Sequence, residues 1–273
     1  MGSRSLKDVA THFAFGENWA SYARAIDSER IAEAEKGLTH LVGPSELAGQ
    51  RFLDIGCGSG LHSLAALRLG AAEVVAVDID AHSVATTTSV LKAHAPQRQW
   101  SAREISVFDI EPGTFGPFGV VYSWGVLHHT GSMLDAIERA SRLVQPSGLF
   151  IFALYRKTRL CWAWKIEKRW YKGASPRAQR MAQTAFINLM RLDFARRKES
   201  FDAYVASYRG RGMDYRHDIH DWLGGFPYES TTPSEVSAMM DRLGFESVRT
   251  FAKPGGLGLF GSGCDEFVYR RLR

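Results

Sequence analysis

The stretch Leu53-Asp54-Ile55-Gly56-Cys57-Gly58-Ser59-Gly60 limits what this chain can become more than any other. Arg51 to Ile55 is apolar enough for a short buried strand, bounded by Gly49 and the glycine turn. After the turn, Leu61, Leu64, Ala65, Leu67 and Leu69 recur at helical spacing, so the glycines join a strand to a helix. Glycine at such a junction lets the main chain approach a ligand, and the helix start offers free N–H donors. The spacing is G-x-G-x-G. Leu61 stands where the dinucleotide fingerprint puts its last glycine, beside a pyrophosphate. A second strand, Glu73 to Val77, leads to Asp78, about 20 residues past the turn, where a carboxylate can take both hydroxyls of a ribose. A nucleoside without a pyrophosphate fits this pattern better than NAD.

Four ordered segments carry a family resemblance: LDIGCGSG at 53–60, VVAVDID at 74–80, VFDI at 107–110 and VVYSWGVLHHT at 120–130, followed by a strand-like LVQPSGLFIFALY at 143–155. In this order they resemble the class I S-adenosylmethionine-dependent methyltransferases, and the histidine stretch looks similar to small-molecule O-methyltransferases of the polyprenyl-hydroxyphenol kind. The resemblance implies an α/β fold: a doubly wound, seven-stranded, mostly parallel sheet with the last strand antiparallel, helices on both faces, and a helical cap inserted after strand five. It implies S-adenosylmethionine as cofactor and S-adenosylhomocysteine as product. Asp54 would orient the amino group, Gly56, Gly58 and Gly60 would admit the methionyl and ribose parts, Asp78 would bind the ribose, and Phe108 with Asp109 the adenine. Cys57, Leu61, Ile79, Ser83, Ser123 and Trp124 complete the expected cofactor shell. Trp19 and Tyr22 lie one helical turn apart in an N-terminal segment that would close over the cofactor, Trp19 toward the sulfonium and Tyr22 toward the acceptor.

Strand three is expected over Arg103 to Phe108, with Asp109 at its end, and strand four over Val120 to Ser123. The stretch after strand four, Trp124 to Thr130, lies beneath the methyl group in the family, which makes His128 and His129 the catalytic candidates. A neutral histidine suits proton removal near pH 7, and two adjacent side chains cannot point the same way; His129 is preferred as the base. Some related enzymes hold a divalent cation here with a Glu-x-x-Glu-His arrangement. This chain has Gly125 and His128 at the two glutamate positions, so no metal is expected.

About 75 residues separate strand five from Thr232-Pro233-Ser234-Glu235, the start signal of the last major helix. The chain therefore divides into 1–155, lid and cofactor core; 156–231, a basic helical insertion over the acceptor; and 232–273, the end of the core, with strands six and seven. Within Arg156 to Arg211, 15 Lys or Arg face four acids, a net +11 in a chain of +5. Its first helix, 156–172, is expected to turn Leu160, Ala163, Trp164 and Trp170 inward, with Lys168 among the basic residues around them. The next region should pack through Phe186, Leu189, Met190 and Phe194. The basic helix can be a solvated cap or a peripheral contact with an anionic membrane. Tyr155, His217, Asp218, Trp222 and Tyr228 are the acceptor-site candidates; aromatic walls with acids and histidines suit a hydroxylated small molecule. No base-reading motif points to nucleic acid. Three scattered cysteines and the lack of a long apolar run suggest a reducing, cytoplasmic setting. O-methylation is the leading expectation. Nitrogen or carbon acceptors, a lipid-linked acceptor, and cofactor binding without transfer stay open, and the sequence does not set the oligomeric state.

Overall fold

The computed structural model describes residues 11–16, 19, 23, 26–209, 215–252 and 263–273; the side chains of 207–209 and 216–217 lie outside that description. Seven strands form one sheet: β1 (Arg51–Ile55), β2 (Glu73–Asp78), β3 (Trp100–Glu104), β4 (Phe118–Trp124), β5 (Val144–Tyr155), β6 (Phe245–Phe251) and β7 (Cys264–Arg271). Their order is β3-β2-β1-β4-β5-β7-β6. β1 to β5 pair in parallel, with Leu53 between Val75 and Val121. β7 runs antiparallel to both β5 and β6. The central strands are buried on both faces, which is why they read as continuous apolar runs rather than alternating ones. One core, with Leu53, Val75, Val121, Ile137 and Phe150, lies under the Met133–Ser141 and Pro233–Arg242 helices. The other, with Leu38, Phe52, Leu64, Val120 and Ile151, lies under the Ser28–Leu41 and Leu61–Arg68 helices. The chain winds outward from β1 through β2 to β3 and then returns to β4 on the other side. The carboxyl ends of β1, β2 and β4 therefore flank a topological switch point, where open α/β sheets hold ligands.

Two expectations about elements need correction. The third strand is Trp100–Glu104 rather than 103–108. Its ladder with β2 ends at Asp78↔Glu104, and Ser106 then caps a single 3-10 turn over Val107–Asp109 by accepting from the Phe108 N–H. In the insertion, the Cys161–Gly173 helix buries Lys168 and Tyr171 and exposes Trp162, Ile166 and Trp170, so its inner face is rotated from the expected one. The Pro176–Arg197 helix packs through Phe186 and Phe194 as expected, but exposes Leu189 and adds Ile187 to the inner face.

The insertion starts and ends at the sheet. Thr231 N–H donates to the Tyr155 carbonyl at 3.0 Å and Lys157 N–H to the Thr231 carbonyl at 2.8 Å. Arg156 grips the buried Asp265 with both arms of its guanidinium. The capping box expected at Thr232 and Glu235 is present. Inside the insertion, Tyr171, Tyr215, Ile219 and Leu223 form a third cluster, completed by Phe13 from the N-terminal segment. No helix among the described residues is long and apolar enough to cross a membrane.

Candidate active site

The glycine turn brings three loop ends together. Gly58 N–H donates to the Asp78 carboxylate at 3.1 Å, and the other Asp78 oxygen accepts the Asp80 N–H at 3.0 Å. Gly60 opens the Leu61–Arg68 helix at φ +77, and a Cβ there would lie 2.9 Å from the Thr87 Cα; only glycine fits both the conformation and the space. Asp54, at the end of β1, is buried and accepts the Ser63 hydroxyl at 2.6 Å. Burial pushes its pKa up to about 7, against the pull of Ser63, and Asp78 adds to the rise. Burial likewise pushes Asp78 up to about 6, although backbone donors lower it. Two carboxylates thus stand side by side, short of positive partners, next to a turn with room for nothing larger than glycine.

The N-terminal segment crosses this edge. Gly16 N–H donates to the Asp80 carboxylate at 3.0 Å, and the Trp19 ring would touch a Cβ placed on Gly58, 3.3 Å away. Phe15 packs on His129 with ring centres 5.3 Å apart, and Phe13 N–H donates to the Phe226 carbonyl at 2.9 Å. Tyr22 lies outside the described residues.

Other expected cofactor residues divide by orientation. Phe108 and Asp109 sit on the 3-10 turn, Asp109 exposed, and the turn is braced by Arg139, which donates to the Phe108 carbonyl at 2.6 Å. Ile105 N–H ties the same loop to the Asp78 carbonyl at 2.9 Å. Leu61 and Ile79 flank the turn, Leu61 buried and Ile79 half-buried. Cys57 is packed inward: its thiol accepts the Thr87 hydroxyl, and burial pushes it well above the usual thiol range. Ser123 is spent on the Ile55 carbonyl at 3.1 Å, joining β4 to β1. Ser83 is buried with its hydroxyl unpartnered. Trp124 reaches over β5 to Glu266, donating at 2.7 Å, on the opposite side of β4 from the glycine turn.

Beyond β4, His128 and His129 occupy a buried 3-10 turn. The His129 Nδ1 lies 2.7 Å from the Pro227 carbonyl, which can only accept, so Nδ1 carries the proton and Nε2 the lone pair. Burial drives its pKa down to about 3. His128 has the other tautomer: its Nδ1 accepts the Tyr155 N–H at 3.3 Å, leaving the proton on Nε2, which has no partner. The rings of Tyr155 and His128 lie 4.0 Å apart, and Tyr228 lies 5.3 Å from Tyr155. Glu229 N–H holds the His128 carbonyl at 3.0 Å, which fixes the 226–231 segment on the histidine turn. Tyr228 also lines a cavity of about 630 Å³ that extends over Met133, Cys161, Trp162 and Glu229. Of the acceptor candidates, Tyr155, Trp222 and Tyr228 meet, Asp218 acts on Tyr155 through its charge, and the side chain of His217 lies outside the described residues.

What brings the three aromatics together was missed in the sequence. Lys168 is fully buried, donates to the Trp222 carbonyl, and places its ammonium 4.0 Å from the Trp222 ring, 5.3 Å from Tyr228 and 5.8 Å from Tyr155. The available signal was Trp164, Lys168 and Tyr171, which share one helical face at spacings of four and three. Within the expected covering segment, it is Phe13, Phe15 and Gly16 that make the contacts, with Asp80 as the partner of Gly16.

Comparison with known proteins fits this geometry. A ubiquinone biosynthesis O-methyltransferase of Xanthomonas oryzae pv. oryzae is 36% identical over 114 residues, covering 41% of this chain and 46% of that protein. The chain spans less than half the length of curated relatives such as this one. Among solved structures, the magnesium protoporphyrin IX methyltransferase of Synechocystis PCC 6803 with bound S-adenosylhomocysteine superposes with a TM-score of 0.53 at 15% identity, covering 89% of this chain and 83% of that one. The 1,6-didemethyltoxoflavin-N1-methyltransferase of Burkholderia thailandensis, solved with its acceptor and S-adenosylhomocysteine, gives 0.50 at 14% identity, covering 90% and 80%. The family model described as a methyltransferase domain matches residues 26–250, most of the sequence, so the chain belongs to the methyltransferase domain family.

Proposed function

We propose that the chain transfers a methyl group from S-adenosylmethionine to an oxygen of a small-molecule acceptor. The observation that carries the reading is the pair of carboxylates, buried Asp54 and half-buried Asp78, at adjacent strand ends beside the Gly56–Gly60 turn. Their chemistry fits the cofactor. Asp54, raised to about 7 by burial, would regain its charge against an ammonium. Asp78 would face ribose hydroxyls, Phe108 and Asp109 the adenine, and Trp19 would cover the turn. Bound there, the cofactor would supply an electrophilic methyl on a sulfonium.

The chain's own task is then to orient the acceptor and exclude water. His129 offers Nε2 to an acceptor hydroxyl, since Nδ1 is committed to Pro227. With its pKa held near 3, His129 orients the hydroxyl more than it removes the proton. Tyr155, Trp222 and Tyr228 would wall the acceptor, and the two structural relatives named above are methyltransferases of a protoporphyrin and of a toxoflavin precursor, both small molecules.

The test is calorimetric titration of S-adenosylhomocysteine into wild type and Asp78→Ala. Binding in wild type that weakens at least tenfold in the variant supports the reading; no binding to wild type defeats it.

A further inference from the structure

A buried ammonium and a buried N–H, both short of acceptors, lie close to Tyr155. Lys168 Nζ donates to the Trp222 carbonyl, its one acceptor among the described residues, and has two further N–H bonds to place. Among the described residues no carboxylate lies within ion-pair distance of it: Glu167, next to it on the helix, acts on it by charge, but its two oxygens have no hydrogen-bond partner. The His128 Nε2–H, whose ring lies 4.0 Å from that of Tyr155, is fully buried and unpartnered, and the Lys168 charge is near enough to act on it. Orphaned buried donors are rare, and a buried cation whose neighbouring carboxylate makes no direct ion pair with it is costly; together they mark a place prepared for an anion.

The surroundings agree. Three rings lie around the ammonium, and one of them, Tyr228, also lines the cavity over Met133 and Glu229, so a flat aromatic ligand in that cavity could stack on Tyr228 with its oxygen turned toward the charge. The groups that face Lys168 do not neutralise it. On its own helix these are Glu167 and Cys161, and on β7 Cys264. The neutral His128 and His129 face it from the turn, and Asp218 and Asp221 act on Tyr155 from the Tyr215–Gly224 helix. Burial draws the ammonium down to about 7, so it is charged in part at neutral pH and fully once an anion arrives.

We propose that Lys168 and His128 recognise the acceptor as an aromatic oxyanion, a phenolate or a carboxylate, held by the Lys168 ammonium and the His128 Nε2–H. This rests on the methyl-transfer reading and deepens it. A cation at this place would explain why the site contains no strong base. A phenol bound beside Lys168 would give up its proton to solvent on binding, and its oxyanion would then form the O–CH3 bond as the S–CH3 bond breaks and S-adenosylhomocysteine leaves, with no further proton to remove.

The experiment uses protein loaded with S-adenosylhomocysteine and two probes, 4-nitrophenol and benzoate. The absorbance of bound 4-nitrophenol reports its ionisation directly. In wild type its apparent pKa should fall by at least one unit on binding; in Lys168→Met the fall should vanish and affinity drop tenfold or more, while Lys168→Arg retains most of both. Benzoate binding that is lost in Lys168→Met while 4-nitrophenol binds only as the neutral phenol assigns the oxyanion to a carboxylate and still supports the proposal. Binding of both probes unaffected by Lys168→Met, or binding of neither to the loaded protein, overturns it. Thermal melting checks that Lys168→Met is folded, and S-adenosylhomocysteine affinity equal to wild type shows that the cofactor reading stands on its own.

Discussion

Replacing Asp54 by asparagine separates what the carboxylate costs the fold from what it does for a ligand. Asp54 is 3% exposed, its visible partner is the Ser63 hydroxyl at 2.6 Å, and burial raises its pKa from 3.8 to about 7. A carboxylate raised in the folded state keeps its proton between those values, whereas the unfolded chain has already lost it. Its contribution to stability is therefore intact below pH 4, falls as pH rises toward 7, and is constant above. Roughly three pH units at about 1.36 kcal/mol each give a penalty of about 4 kcal/mol at pH 8. Asparagine cannot ionise, and its carbonyl can still accept from Ser63. Asp54→Asn should match wild type at pH 4 and exceed it at pH 8 by up to about 4 kcal/mol, roughly 10 °C in Tm for a chain of this size. Urea or thermal unfolding across that range reads the difference. The same residue should betray its purpose in calorimetry: S-adenosylhomocysteine binding to wild type at pH 6.5 should release a proton, seen as a buffer-dependent heat, as the carboxylate ionises against the ligand's ammonium. Asp54→Asn should show no release and bind about ten- to a hundredfold more weakly, the worth of one hydrogen bond to a charged group. A stability difference that is equal at pH 4.5 and pH 8, or a variant less stable than wild type at pH 8, would refute the reasoning.

Asp265→Ala should destabilise the chain by about 3–5 kcal/mol in urea unfolding, because it leaves the Arg156 guanidinium half-buried and unpaired; adding Arg156→Met should recover most of the loss. Gly60→Ala should lower Tm by several degrees and weaken S-adenosylhomocysteine at least tenfold, since the new Cβ meets the Thr87 main chain and the left-handed conformation adds about 1–2 kcal/mol; unchanged melting would mean that the turn relaxes freely.

What was legible in the sequence is local. β1, its glycine turn and the acid ending β2 are contiguous signals, and the antiparallel β7 followed from the resemblance they carry. β3 was misplaced because its own residues, Trp100 to Glu104, are half-exposed near one sheet edge and show little apolar pattern, whereas Ile105 and Val107 just beyond it are apolar for another reason, packing under the turn that Ser106 caps. Trp124 was assigned to the cofactor by position, but the partner that sets its ring, Glu266, is 142 residues away. Lys168 was counted with the surface charges because nothing within one helix shows that Trp222 and Tyr228 will fold over it. The histidine pair was found by position; which nitrogen of each is available depends on Pro227 and on the Tyr155 backbone, and so on the fold.

Phe13, Phe15, Gly16 and Trp19 touch both halves of the site: Asp80 and Gly58 on one side, His129 and the Phe226 carbonyl on the other. One piece of chain with two sets of footholds makes two binding events answer to each other. A ligand on the glycine-turn side that favours the docked segment also readies the wall around His129, and a ligand beside His129 must strengthen the first by the same factor. By the same logic, a segment held at both ends would make the departure of either ligand depend on contacts that belong to neither.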